Sequence, residues 1–211
     1  MDTLVTSLKL LVVTVVVCCV LYPAAIWGLG QVAVPASANG SLVEGADGRV
    51  VGSELIAQAF ASPGYVWPRP SAVDYDAAGT GGSNLSPTSP ALRERAAATV
   101  AAYHAAGSGG AVPAELVAAS GSGVDPHVSE AAALYQAPRV AAARGVSAAR
   151  VEGVVRGAAR SSSGLSGADR IVNVLGLNLA LDAAFGPPPQ AAPPAGAGAD
   201  VAPPAPDGVE E

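Results

Sequence analysis

The chain has 211 residues, a net charge of −6 and a pI near 4.8. That acidity argues against nucleic acid as a partner, because phosphate recognition needs a basic patch. Half of the residues are hydrophobic but only 4% are aromatic, so a core must be built from Val, Leu and Ala.

Leu10–Leu29 carries no charge. As a helix it is about 30 Å long, which matches the hydrocarbon thickness of a bilayer. Thr14 can bond a carbonyl one turn back. Tyr22 and Trp27 fall where amphipathic rings favour the membrane interface. Pro23 predicts a kink there. The expectation is a retained transmembrane helix over 10–29. The alternative is a cleaved secretory signal, with Lys9 as a thin basic region and Ala36-Ser37-Ala38 as a cleavage site. The apolar run is longer than the usual signal core of about 7–15 residues. Val15-Val16-Val17 before Cys18 lacks the small residue a lipid-attachment site wants. Lys9 precedes the span and the next basic residue is Arg49, which predicts residues 1–9 in the cytoplasm and the rest outside. Cys18 and Cys19 both lie in the span, and neighbours on one helix do not easily pair. A cysteine-free domain of about 155 residues is large enough to fold without disulfides.

Residues 30–41 read as a short linker. Leu42-Val43 and Arg49-Val50-Val51 flank Gly45-Ala46-Asp47-Gly48 as a hairpin. Ser53 is expected to cap a short helix with Leu55, Ile56, Ala59 and Phe60 on one face. Residues 62–84 are irregular and too long for a passive connector, and Tyr65, Trp67 and Tyr75 argue against disorder. Ser89-Pro90 starts a helix whose stripe is Leu92, Ala96, Val100 and Tyr103, ended by Gly107. Pro113 opens a turn of helix through Leu116-Val117. Ser129 and Glu130 start a helix through Tyr135-Gln136, and a second short helix runs from Pro138 to Arg144. Ser147 caps another, with Val151, Val154, Val155 and Ala158 inward and a Glu152–Arg156 pair on its wet side. Ile171–Phe185 reads as a central buried helix. Its Asn173, Asn178 and Asp182 need partners and are expected to pin neighbouring loops. Residues 187–211 hold eight prolines and read as a disordered tail.

No phosphate-cradling GxxxxGK[ST] loop occurs. His104 and His127 are the only histidines, so a structural zinc site is not expected. His104 is read as solvated. Ser120, Ser122, Asp125 and His127 hold the residue types of a hydrolytic triad. They are crowded into eight residues without a G-x-S-x-G elbow, and read better as a tight turn. An anchored exported serine hydrolase using Ser122 and His127 is the alternative function.

Several pieces fall in one order along the chain. They include Tyr22-Pro23, Asn39-Gly40-Ser41-Leu42, Val51-Gly52-Ser53, Gln58-Ala59-Phe60, Arg69-Pro70-Ser71-Ala72 and Gly82-Ser83-Asn84-Leu85. Leu116–His127, Tyr135-Gln136-Ala137-Pro138-Arg139-Val140-Ala141 and Val172–Asn178 follow. In this order they resemble the C subunit of the Kdp potassium-transporting ATPase, from about Leu10 to Phe185. Val66 and Val124 are conservative departures. The resemblance implies a non-catalytic subunit of α+β fold. It has one N-terminal transmembrane helix, then a mainly helical extracytoplasmic domain over 30–186 with a small β-hairpin. It implies two partners, a channel-like A subunit and a P-type ATPase B subunit, which handle K⁺ and ATP. No cofactor is expected on this chain alone. The family is also described as a catalytic chaperone that raises the B subunit's ATP affinity, with the residue matching Gln136 as the nucleotide contact. A domain outside the membrane cannot reach cytosolic ATP, so Gln136 is expected instead to cap or bridge the Pro138 turn. Tyr65, Trp67, Arg69, Ser83 and Asn84 are expected to face the channel-like subunit, since aromatics and Arg suit interface centres.

Overall fold

The structure is a computed structural model that describes residues 2–45, 47–162 and 170–189. The predicted tail therefore lies outside the described residues beyond Pro189, as do 163–169.

The apolar run forms one helix from Asp2 to Ala33, of 32 residues, longer at both ends than the 10–29 core. It comprises α1 (Asp2–Val15), a π-helical stretch (Val16–Leu21) and α2 (Tyr22–Ala33). The π stretch sits just before Pro23. Pro23 cannot donate to the carbonyl four residues back, and the Tyr22 N–H instead reaches the Val17 carbonyl five residues back. The predicted kink is thus a widened turn. Residues 30–41 are less loose than a linker. α3 (Pro35–Ala38) follows at once, and the Gln31 and Asn39 carboxamides exchange two hydrogen bonds of 3.2 Å.

The hairpin forms as predicted from β1 (Leu42–Glu44) and β2 (Val50–Ser53), with Leu42 opposite Ser53. The helix expected after Ser53 does not form. Ser53 Oγ donates to the Gly40 carbonyl at 2.7 Å and accepts the Leu55 N–H, and the Ala57 N–H goes to the Val124 carbonyl. These bonds use backbone groups that a helix would need. No helix or strand then occurs until α4 (Pro90–Ala105), which Ser89 precedes in extended geometry. Only Tyr103 of its expected stripe is fully buried. α5 (Ala114–Val117) follows Pro113.

β3 (His127–Ser129) leads into α6 (Glu130–Arg144), capped by Ser129 Oγ accepting the Ala132 N–H at 3.1 Å. α6 is one helix, not two. Pro138 sits inside it on the exposed face, while Gln136, Ala137, Arg139 and Val140 on either side are buried and hold the helix down. Gly145 stops it at φ 66°, with the Val146 N–H returning to the Ala141 carbonyl. α7 (Ala148–Ala158) buries Val151 and Val155 as predicted, and Arg156 meets Glu152 at 2.9 Å.

β4 (Arg160–Ser161) and β5 (Arg170–Asn173) complete a three-stranded antiparallel sheet in the order β3-β5-β4. Val128 faces Val172 across it. This sheet was not expected from the sequence, and it corrects the helix predicted from Ile171. α8 (Val174–Phe185) starts three residues later, where Asn173 Oδ1 accepts the Gly176 N–H at 2.9 Å. The core lies where α7 packs on α6 and α8 and all three cover β5. Val140, Val151, Val155, Val172, Leu177 and Leu181 are each wholly buried there.

Candidate functional site

After a turn at Ser62–Tyr65, closed by the Tyr65 N–H on the Ser62 carbonyl, Val66–Pro70 crosses this core with no helix or strand partner. Buried backbone N–H and C=O groups must still be paired. Side chains pair them. Consecutive residues of an extended chain aim their backbone groups to opposite sides. On one side Asn178 of α8 accepts the Val66 N–H at 2.8 Å and donates to the Val66 carbonyl at 3.0 Å. On the other, Gln136 of α6 accepts the Trp67 N–H at 2.8 Å and donates to the Trp67 carbonyl at 3.1 Å. Each carboxamide does the work of one residue of a neighbouring strand. Gln136 thus bridges to the loop and not to the Pro138 turn, because the Trp67 backbone offers both a donor and an acceptor.

Two arginines finish the clamp. Arg139 is 2% exposed. It donates to the carbonyls of Pro63 (2.6 Å) and Tyr65 (3.1 Å) and to Gln136 Oε1 (2.7 Å). Its guanidinium lies 4.0 Å from the centre of the Trp67 ring. No carboxylate pairs with it among the described residues, and burial lowers its pKa to about 10. Arg144 reaches the Gly64 carbonyl at 2.7 Å and Asp182 at 2.8 Å. Asp182 also accepts the Tyr65 hydroxyl at 2.9 Å. Asn178 and Asp182 therefore pin the loop as the sequence suggested. Neither Arg139 nor Arg144 stood out in the sequence. The available signal was an arginine three residues after Gln136 on the apolar stripe of α6, where a solvated residue does not belong.

The five residues expected to face a partner divide into two groups. Tyr65, Trp67 and Arg69 are half-buried and already engaged. The Trp67 indole N–H donates to the Ser62 carbonyl at 3.0 Å, and its ring lies 5.1 Å from that of Tyr103. Arg69 meets Asp125 at 3.1 Å. Ser83 and Asn84 stand near the other end of the loop, and neither side chain has a hydrogen bond among the described residues. Asn84 is exposed and left-handed at φ 49°. This end rests on the Gly121–Gly123 turn, where the Gly81 N–H donates to the Ser122 carbonyl at 2.8 Å. Gly123, at φ 73°, passes so close to Val73 and the Gly81 carbonyl that a side chain there would collide with both.

The Ser/Asp/His cluster is that turn. Asp125 Oδ1 accepts the His127 N–H, and Ser122 Oγ accepts the Val124 N–H. Ser120 is buried, its N–H bonded to the Pro70 carbonyl. Ser122 and His127 share no hydrogen bond among the described residues, so nothing there activates a nucleophile. His104 is exposed, with Nε2 3.1 Å from the Gly110 carbonyl.

Burial around the loop raises the pKa of Tyr65, Tyr75 and Tyr103, with desolvation the largest cause in each. A folded tyrosine then keeps its proton where the unfolded one, near pH 10, has lost it. Stability from these groups is complete below pH 10 and falls as pH rises above it. Arg139 acts oppositely above about pH 10, but it is one group against three. Alkaline unfolding should begin near pH 10, and Tyr103→Phe should move the onset upward. Circular dichroism with tyrosinate absorbance checks this; an onset unchanged by the substitution counts against it.

The family model described as "KdpC: K+-transporting ATPase, c chain" matches residues 4–183. The "Potassium-transporting ATPase KdpC subunit" of Parvibaculum lavamentivorans is 53% identical over 182 residues, covering 86% of this chain and 97% of that protein. The protein of the same name from Myxococcus xanthus is 51% identical over 197 residues, with 91% and 93% covered. That from Geobacter sulfurreducens is 45% identical over 186 residues, with 86% and 98% covered.

Proposed function

Because the chain belongs to the KdpC family of K⁺-transporting ATPase c chains, we propose that it is held at the inner membrane by its N-terminal helix and places residues 30–186 outside the cytoplasm. It is an accessory subunit, and the channel-like A and P-type ATPase B subunits are its partners, the ones that handle K⁺ and ATP. One observation carries the anchoring. The 32-residue helix has a mean hydropathy of 2.6 in its most apolar window, and none of that window is buried against the chain itself. Such a surface needs lipid or a neighbouring helix. Lys9, within the first helical turns and just before the uncharged run Leu10–Leu29, supports the cytoplasmic N-terminus.

The loop that holds Tyr65, Trp67, Arg69, Ser83 and Asn84 is the surface for the channel-like subunit. Its inner half is clamped and its outer half offers unpaired polar groups, so a rigid base presents adaptable contacts. Gln136 supports transport by holding that base. Wholly buried, with its oxygen accepting two hydrogen bonds and its nitrogen donating one to the loop, it exposes no group to a nucleotide. Any rise in ATP affinity of the B subunit then passes through contacts between subunits.

The test is a Ser83→Arg chain co-expressed with the larger subunits and purified from detergent-solubilised membranes. The expected result is an unchanged melting temperature of the isolated chain with at least tenfold less co-purified partner. Equal recovery and full K⁺ uptake would remove this end of the loop from the interface. Protease added to intact spheroplasts should digest the domain. Protection until lysis would invert the topology.

A further inference from the structure

A groove of about 320 Å³ opens between the clamped loop and α4, lined by Phe60, Trp67, Pro68, Pro70, Tyr75 and Tyr103 among others. Tilted, contacting aromatic rings beside prolines form the type of surface that takes polyproline segments, whose conformation is already ordered before binding. The same chain carries Pro203-Pro204-Ala205-Pro206, a PxxP pattern, followed by Asp207, Glu210 and Glu211. We propose that this C-terminal segment is the groove's occupant, so that the chain covers its own aromatic surface.

Three observations support an occupant from this chain. The first is the root of the tail. Pro188 packs so closely on Gly64 that a side chain there would collide with the prolyl ring, and Arg144 Nη1 holds the Gly186 carbonyl at 2.6 Å. The tail therefore departs three residues from Trp67. The second is reach. The 14 residue steps from Pro189 to Pro203 span up to about 43 Å as a polyproline helix, and a domain of this size is about 30–40 Å across. The third is charge. Thr99 lines the groove, and its hydroxyl bonds the carbonyl of Arg95, one turn back along α4. Arg95 makes no ion pair among the described residues, and its buried Nε has no hydrogen-bond partner there. Acidic residues after the PxxP pattern suit this unpaired arginine. A tether of this length gives an effective concentration near the millimolar range, so weak contacts suffice. This inference does not depend on the partner assignment. Occupancy by the tail would compete with any partner that reaches Trp67.

The test uses the full chain in detergent with Trp27→Phe, so that Trp67 alone fluoresces. Its acrylamide quenching is compared with that of the same chain carrying Pro203→Ala and Pro206→Ala. The expected result is about a twofold rise in quenching for the double variant, reversed by a free peptide of residues 199–211. Arg95→Glu should weaken that reversal several-fold. Equal quenching of the two chains overturns the proposal, as does a peptide that acts equally on both. The second outcome would mean that the groove is open and receives a segment of another protein.

Discussion

Arg139→Ala is expected to cost about 3–5 kcal/mol of folding stability, enough to leave much of the chain unfolded. The reason is geometric. One buried guanidinium serves the Pro63 and Tyr65 carbonyls and Gln136 Oε1, and it covers the Trp67 ring. Charge-assisted bonds contribute about 1.5–3 kcal/mol each, and their acceptors have no water to turn to once the donor is gone. Arg139→Lys separates charge from shape. Lysine keeps the positive charge but lacks the planar fork that spans two carbonyls and a carboxamide at once. It should recover less than half of the loss. Denaturant titration of the chain in detergent checks both. If Lys restores full stability, charge alone matters and the fork does not.

Gln136→Ala and Asn178→Ala should each cost about 2–4 kcal/mol, since each strands a backbone N–H and C=O inside the core and leaves a cavity. Because they grip adjacent residues from opposite sides, their effects should not add. Once Val66 or Trp67 is released, the other clamp holds a chain already loose, and a coupling of about 0.5–3 kcal/mol is expected in a double-mutant cycle. The same substitution separates two roles for Gln136. A structural clamp predicts lost stability and, in proportion, less assembled complex, with unchanged ATP affinity in the complex that remains. Intact stability and assembly with ATP affinity abolished would assign Gln136 to the nucleotide and reverse the present reading.

The sequence was most legible where one local property decided the outcome. Ser129 and Gly145 marked helix ends because caps and left-handed stops act within a few residues, and Ser89-Pro90 and Pro113 marked two more through proline's fixed φ, although the Ser89 side chain makes no capping hydrogen bond. Asn178 and Asp182 were recognisable as loop anchors because buried polar groups require partners. The partner residues were not legible. Gln136 was expected to serve its own turn, and the Trp67 backbone that it serves is 69 residues away. The β3-β5-β4 sheet escaped for the same reason. Its strands have two to four residues, too few for alternation to register, and β5 looks like the start of the apolar helix behind it. The expected helix after Ser53 and the expected break at Pro138 failed in opposite directions. In one, hydrogen bonds to Gly40 and Val124 drew the chain out of a helix; in the other, buried neighbours carried the helix past a proline.

By itself, then, the sequence determined the long uncharged N-terminal helix, several helix ends, the first hairpin and, through an ordered set of short motifs, the family. Each depends on residues close together in the chain, or on their order. The tertiary structure alone decided how residues 63–70 are held, which arginines are buried and where an aromatic groove opens. Those features depend on which distant backbone groups lack a partner after the core has closed, and hydrogen-bond demand of that kind leaves no periodic trace in the sequence.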